Sequence, residues 1–238
     1  MARLMTALLA AVFIMASAVA FADTVFSDDF STNTVGTNWT AYTSNVSCSA
    51  TISGGTANFH VNYNGGNGFA NFTSIPFNAS GDVDFSGELM LYSPGVATAA
   101  TYLYLHNSVD PTKYFRVEYD SYNSVVRFYD SSTTLLGSVA NHATPSSLTD
   151  FSLTFNGVGW QYYENNNLLK EFASSTMAGV GSFYLKIGGW DASSTNCSAM
   201  FDNIAVNATA VPEPVSTTLF ILGGATMAVR RIRKGGKG

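Results

Sequence analysis

Between residues 23 and 210 no stretch carries apolar residues at a sustained 3.6-residue period. Apolar and polar residues instead alternate over runs of five to eight, and Gly, Asn, Asp and Ser separate the runs. A period of two puts successive side chains on opposite faces of a strand, so each run has one face to bury and one to leave in water. Such a pattern rules out a helical bundle and requires a second sheet to cover the apolar faces. The clearest strands fall at 88–92, 101–106, 114–119, 124–129, 151–155, 160–164, 168–172, 182–187 and 199–206, with weaker ones at 57–61 and 68–72. Asn156-Gly157 between two alternating runs marks a hairpin, since both residues accept positive φ. Asp130-Ser131-Ser132 and Asn165-Asn166 mark turns of the same kind. About ten strands at antiparallel turn spacing predict an all-β, two-sheet antiparallel sandwich over 23–210.

Two segments of different character flank this body. Residues 1–22 hold one positive charge (Arg3), an apolar core over 8–16, and small residues before Asp23. Ala20-Phe21-Ala22 fits the small-x-small rule of signal peptidase, with Ala18-Val19-Ala20 as a second option. The expectation is a secretory signal peptide over 1–22, engaged by the export machinery and removed after Ala22. Residues 211–238 read Val211-Pro212-Glu213-Pro214, then an uncharged apolar stretch over 215–229, then a basic end over 230–238 that opens with Arg230, Arg231, Arg233 and Lys234. In a bilayer this order predicts a single transmembrane helix whose cationic end stays cytoplasmic, with the body outside. Those 15 apolar-stretch residues would span roughly 22 Å, short of the ~30 Å hydrocarbon thickness, which suits a transient anchor better than a permanent one. The charged finish excludes a glycosylphosphatidylinositol signal, whose tail ends in apolar residues.

The Pro-Glu-Pro motif, apolar helix and arginine-rich end resemble the PEP-CTERM sorting tail of exported Gram-negative bacterial proteins. That tail is recognised by an exosortase, a membrane transpeptidase-like enzyme. The resemblance implies processing at or near Pro212, Glu213 and Pro214, with Arg230, Arg231 and Arg233 as the cytoplasmic end. It implies an inner-membrane-anchored precursor whose body reaches the cell surface or extracellular matrix. An ordinary tail anchor is the alternative.

Residues 23–210 carry 15 acidic residues (11 Asp, four Glu) against five basic ones, a net charge near −10 that the whole-chain value of −5 conceals. This balance excludes nucleic acid as a partner and is compatible with divalent cations. The only two cysteines are Cys48 and Cys197. An oxidising compartment permits a disulfide between them, closing a loop of about 150 residues and contributing up to roughly 4–5 kcal/mol. Two free buried thiols are the alternative.

The body opens Phe26-Ser27-Asp28-Asp29-Phe30, continues to Trp39, carries the hairpin through Asn156-Gly157, and closes Gly188-Gly189-Trp190 and Phe201-Asp202-Asn203-Ile204-Ala205-Val206. That order resembles a concanavalin A-like (laminin G-like) jelly roll. The resemblance implies a structural calcium ion tying opening to close, with Asp28, Asp29 and Asp202 as ligands. A turn-capping Asp pair and a strand-edge Asp are the alternative.

Jelly rolls of this type include glycoside hydrolases whose catalytic strand reads Glu-x-Asp-x-Glu, which sets alternate carboxylates on one face as a retaining pair needs. Here Glu118-Tyr119-Asp120 is followed by Ser121 and Tyr122, so the second glutamate is missing, and Glu88, Glu164 and Glu171 stand alone. His60, His106 and His142 lack close carboxylate or cysteine partners, and no glycine-rich phosphate loop or Gly-x-Ser-x-Gly elbow is present. The expectation is a chain that is not an enzyme.

Alternation turns Tyr102, Tyr104 and His106 away from Leu103 and Leu105. It likewise places Arg116 and Glu118 opposite Phe115, Val117 and Tyr119, and Arg127 with Val125 and Tyr129. If these strands adjoin on a concave sheet, tyrosine rings flanked by charged hydrogen-bonding groups compose a glycan groove, with Trp190 and Asp191 in the following loop as a wall. The alternative is that half of these tyrosines are core residues with satisfied tips. The leading functional expectation is a lectin-like domain binding extracellular polysaccharide. The others are a structural or adhesive matrix protein with no sugar site, and a glycoside hydrolase whose acid pair is invisible in sequence.

Overall fold

A computed structural model of the chain describes residues 22–62, 67–91, 99–120, 122–131, 134–140, 147–174, 176–191 and 197–209. The expected signal peptide up to residue 21 and the whole expected sorting tail, including Pro212, Glu213, Pro214, Arg230, Arg231 and Arg233, lie outside these residues, as does His142. The segment from 22 to 209 forms one compact unit, and no helix occurs among the described residues.

In chain order the strands are β1 (Ala22–Asp28), β2 (Trp39–Thr43), β3 (Ser49–Ser53), β4 (Thr56–Val61), β5 (Gly68–Ser74), β6 (Phe77–Asn78), β7 (Ser80–Leu91), β8 (Ala99–Asn107), β9 (Tyr114–Asp120), β10 (Val125–Asp130), β11 (Leu135–Ala140), β12 (Thr149–Phe155), β13 (Gly159–Glu164), β14 (Asn167–Ala173), β15 (Ser182–Asp191) and β16 (Cys197–Thr209). Sheet 1 runs β14-β13-β12-β7-β16-β4-β3, with β1 also paired to β16. Sheet 2 runs β11-β10-β9-β8-β15-β5-β2, with β6 paired to β15. All pairings between these strands are antiparallel. Each sheet interleaves strands from early and late in the chain, which is the arrangement of a jelly-roll sandwich.

The apolar half of each alternating strand fills the space between the sheets. Phe59, Leu89, Leu153 and Phe201 from sheet 1 and Phe72, Leu103, Phe115 and Ile187 from sheet 2 are all buried in one cluster. Aromatic pairs join the layers: Phe115 stacks on Trp160 at 4.2 Å, and Phe59 meets Phe72 edge-on at 5.0 Å. Such contacts add packing energy beyond the area they bury. The Glu164 carboxylate enters this interior, where it accepts the Tyr162 hydroxyl at 2.7 Å.

The structure contains five strands that alternation does not reveal: β1, β2, β3, β6 and β11. Of these, β2, β3 and β11 close the edges of the sheets. An edge strand buries little, so its residues are free of the period-two constraint; four of the five positions in β2 are exposed. The hairpin at 156–157 forms, but only Gly157 uses positive φ (84°), while Asn156 Oδ1 accepts the N–H groups of Val158 and Gly159. Trp190 and Asp191 belong to β15 and not to a loop.

The disulfide expectation is corrected. Cys48 is a free, buried thiol whose Sγ lies 3.5 Å from the Asn62 carbonyl oxygen. Cys197 pairs in register with Val61 on one side of β4, and Cys48 lies one residue beyond the Ser49–His60 pair on the other side. Two strand spacings separate them, about 9–10 Å, whereas a disulfide needs Cα atoms within about 7 Å.

Candidate functional site

Sheet 2 has one face on the core and one turned outward, and its outward residues are unusually aromatic and cationic. Register sets Tyr102, Tyr104 and His106 of β8 opposite Glu118, Arg116 and Tyr114 of β9, and opposite Gly188, Lys186 and Tyr184 of β15. Arg127 of β10 lies opposite Glu118, and Tyr129 opposite Arg116. On β2 and β5, Tyr42 pairs with Asn71, which in turn pairs with Gly188. The strands do adjoin as the sequence pattern requires, and Tyr102, Tyr104, Arg116, Glu118 and Arg127 share one surface.

The rings on this face form a continuous array. His106 stacks on Tyr184 at 4.7 Å and on Tyr104 at 5.1 Å, and Tyr104 meets Tyr114 at 5.3 Å and Tyr102 at 5.1 Å. Tyr42, 57% exposed, extends the array at the sheet edge. Trp190 shares the parity of Tyr184 and Lys186 along β15 and so faces the same way. From Tyr184 to Trp190 the strand runs about 20 Å, the length of a short oligosaccharide. Gly188 between them permits close strand approach: a Cβ there would sit 2.2 Å from the Ala70 carbonyl oxygen.

Charged groups frame the rings. The Arg116 guanidinium lies 4.0 Å from the Tyr129 ring centroid, donates to the Tyr104 hydroxyl at 3.2 Å, and pairs with Glu118 at 3.5 Å. Arg127 Nη1 reaches Asp120 Oδ2 at 2.8 Å and Glu118 Oε1 at 3.4 Å, bridging the two carboxylates. Burial works to raise the Asp120 pKa, but hydrogen bonds from Asn123 and the Arg127 charge hold it below the usual carboxylate value. Burial pushes the Tyr102 and Tyr104 phenols up, so both are neutral donors. Burial pushes His106 down to about 4, with the nearby Lys186 charge adding to the effect. Such a surface can stack on apolar ring faces and hydrogen-bond to hydroxyls.

Two expected members of the groove do not fit their assigned roles. Tyr102 is only 3% exposed, so it supports the array from beneath more than it presents a face. Asp191 is fully buried and turned into the interior, away from the face that holds Trp190. Of the calcium candidates, Asp28 is the most heavily hydrogen-bonded. Asp28 points inward, and its two oxygens accept the Phe30 N–H at 2.8 Å, the Thr34 hydroxyl at 2.6 Å, the Asn38 amide at 3.0 Å and the Trp39 indole at 2.9 Å. Three of these donors converge on Oδ2 and one reaches Oδ1. Asp29 and Asp202 interact electrostatically, since Asp29 helps burial raise the Asp202 pKa. Among the described residues no group of three or more His, Cys, Asp or Glu side chains could hold a metal ion.

A second concavity, of about 270 Å³, lies on the outward face of sheet 1, lined by Ser86, Glu88, Asp150, Ser152, Tyr163 and Asn203. Asp150 and Asp202 each lie directly opposite Glu88 across the ladder, and Asn203 donates to Glu88 at 3.1 Å. Tyr114, Tyr184, Lys186, Tyr42 and Asp150 carry no site role in the sequence reading, and Glu88 and Asp202 were not joined in one row. Alternation within 182–187 was sufficient to place Tyr184 and Lys186 on the outward face.

No known sequence family matches the chain, and no curated protein matches it. Solved structures do. The catalytic domain of an endo-1,3-β-glucanase (laminarinase) from Thermotoga petrophila superposes with TM-score 0.61 at 11% identity, over 81% of this chain and 100% of that one. LamA from Zobellia galactanivorans, in complex with laminaritriose and laminaritetraose, gives 0.58 at 13% identity over 77% and 98%. A protein with a galectin-like fold from Bacillus subtilis gives 0.57 at 9% identity over 80% and 100%. Likeness at such identity establishes the fold, an all-β jelly-roll sandwich, and not the activity.

One expectation is overturned by these matches: that the chain is not an enzyme. Its architecture is that of endo-1,3-β-glucanase catalytic domains. Carboxylates can also meet across strands, and sheet pairing sets Glu88 beside Asp150.

Proposed function

We propose that this chain is an exported carbohydrate-binding jelly-roll protein of the cell surface or extracellular matrix, engaging polysaccharide through the outward face of sheet 2. The observation that carries the reading is the stacked array of Tyr104, His106, Tyr114 and Tyr184 bordered by Arg116 and Lys186. Rings at such spacing offer apolar platforms, and the flanking donors suit hydroxyl groups. The test is retention of the 22–209 sandwich on glycan arrays and isolated exopolysaccharides, alongside Tyr104→Ala and Tyr184→Ala. Loss of retention in folded variants supports the reading, and unchanged retention rejects this face.

The sorting reading complements it: signal peptidase removes residues 1–22, and an exosortase acts at Pro212-Glu213-Pro214 after transient anchorage by 215–229. The net charge of the body keeps nucleic acid from being a partner. Its test is pulse-labelling in an exosortase-bearing host, where Glu213→Ala accumulates as a membrane-bound precursor.

Glycoside hydrolysis is a second reading, favoured by the cross-strand pair Glu88–Asp150 lining the sheet 1 cleft. Directly opposed residues hold their Cβ atoms about 4.5–5.5 Å apart, close to the spacing of a retaining pair. Reducing-end release lost in Glu88→Gln would establish it.

A further inference from the structure

Three cations occupy the outward face of sheet 2, and two of them are already neutralised. Arg116 pairs with Glu118, and Arg127 with both Glu118 and Asp120. Lys186 sits in the middle of the sheet, between Tyr104 of β8 and Thr73 of β5. Its ammonium lies 5.9 Å from the ring centroids of Tyr102 and of Tyr104, and it enters no ion pair among the described residues.

An ordinary surface lysine lays its stem on apolar atoms and keeps its head in water. Lys186 is half-buried beside the rings, and that burial lowers its pKa from the ordinary value. Holding a partly desolvated ammonium without a counter-anion is costly, and cation–π attraction offsets only part of that cost. His106 beside it is neutral and supplies no negative charge.

The surrounding charge does not fill the gap either. Asp84, Glu88, Asp150 and Asp202 line the outward side of sheet 1, on the far side of the core. With sheets about 10 Å apart, that acidic face lies beyond the ~8 Å screening length at physiological salt. On the sheet 2 face the three cations exceed Glu118 and Asp120 by one, so its local charge is opposite in sign to that of the body. Tyr102 adds a buried hydroxyl beside Asn71 on the same face.

We propose that the polysaccharide bound here is anionic, with Lys186 receiving a uronate carboxylate while the rings of Tyr104, His106 and Tyr184 carry the sugar. This rests on the glycan-binding reading of the same face. An incoming carboxylate supplies the missing counter-charge at a half-buried ammonium, where a charge-assisted hydrogen bond is stronger than in open water.

The experiment uses the 22–209 sandwich, shown folded by near-UV circular dichroism, on an array of polyuronates and their carboxyl-reduced counterparts. Each pair shares a backbone and differs only in charge. Expected is retention on a polyuronate that weakens about tenfold or more on carboxyl reduction and in Lys186→Met, while Lys186→Arg keeps most of it. Equal retention of both members of a pair, or of Lys186→Met and the parent chain, overturns the anionic assignment and leaves glycan binding standing. No retention on any polysaccharide overturns both.

Discussion

The Trp39 indole donates to the Asp28 carboxylate at 2.9 Å, although the ring is only 1% exposed. Asp28 thereby gathers the segment between β1 and β2 around itself, with Thr34, Asn38 and the Phe30 N–H as its other donors. A carboxylate in this role does by hydrogen bonding what a metal ion would do at the rim of the sandwich.

Asp28→Ala should therefore cost about 3 kcal/mol or more, since it strands several donors in a buried site. Urea denaturation at pH 7 measures this. In the same assay, calcium and chelator should leave the parent midpoint unchanged. A loss below about 1 kcal/mol, or a chelator-sensitive midpoint, would contradict this role for Asp28.

Arg127→Met should leave Glu118 and Asp120, which are 7% and 4% exposed, without their bridging cation. The expected loss is about 2–4 kcal/mol at pH 7. The sign of the pH dependence follows from Asp120, whose folded pKa lies below its usual value. The pairing is complete above the unfolded pKa near 4 and is lost as pH falls through the folded value. The gap between parent and variant should thus narrow below about pH 4.

His106 should make the parent protein acid-sensitive in a different window. Its folded pKa is pushed down to about 4, below the ordinary value near 6.5. The unfolded chain then binds a proton that the folded one resists. Stability is complete above about pH 6.5 and falls by up to about 3 kcal/mol as pH drops to 4. His106→Phe should flatten that slope, and NMR titration of the imidazole reads the pKa directly. An ordinary imidazole pKa would remove the prediction.

Gly188→Ala should destabilise the sandwich by about 2–4 kcal/mol. The added Cβ would meet backbone atoms of Ala70 and Asn71 at 2.2 and 2.7 Å, and backbone of a paired strand cannot move aside as a side chain can. Thermal unfolding checks this; a shift in melting temperature under about 2 °C would show that the two strands separate easily.

Leu103 and Leu105 pointing in while Tyr102 and Tyr104 point out was legible from alternation, as was the separation of Arg116 and Glu118 from Phe115 and Val117. Edge strands such as β3 (Ser49–Ser53) were not, because little of their surface is buried and no period is imposed on them. Asp191 misled because its strand extends further than its apolar pattern, through Gly188 and Gly189.

What the sequence by itself determined is therefore the strand class and the face each residue occupies, since a period of two is a property of the local backbone. Which faces meet was decided only by the tertiary structure. Strand pairing joins residues more than 80 positions apart, so it alone places Lys186 beside Tyr104 without a carboxylate. It likewise brings Glu88 against Asp150 and holds Cys48 and Cys197 on opposite sides of β4. These relationships arise from the order in which strands hydrogen-bond, and local alternation carries no information about that order.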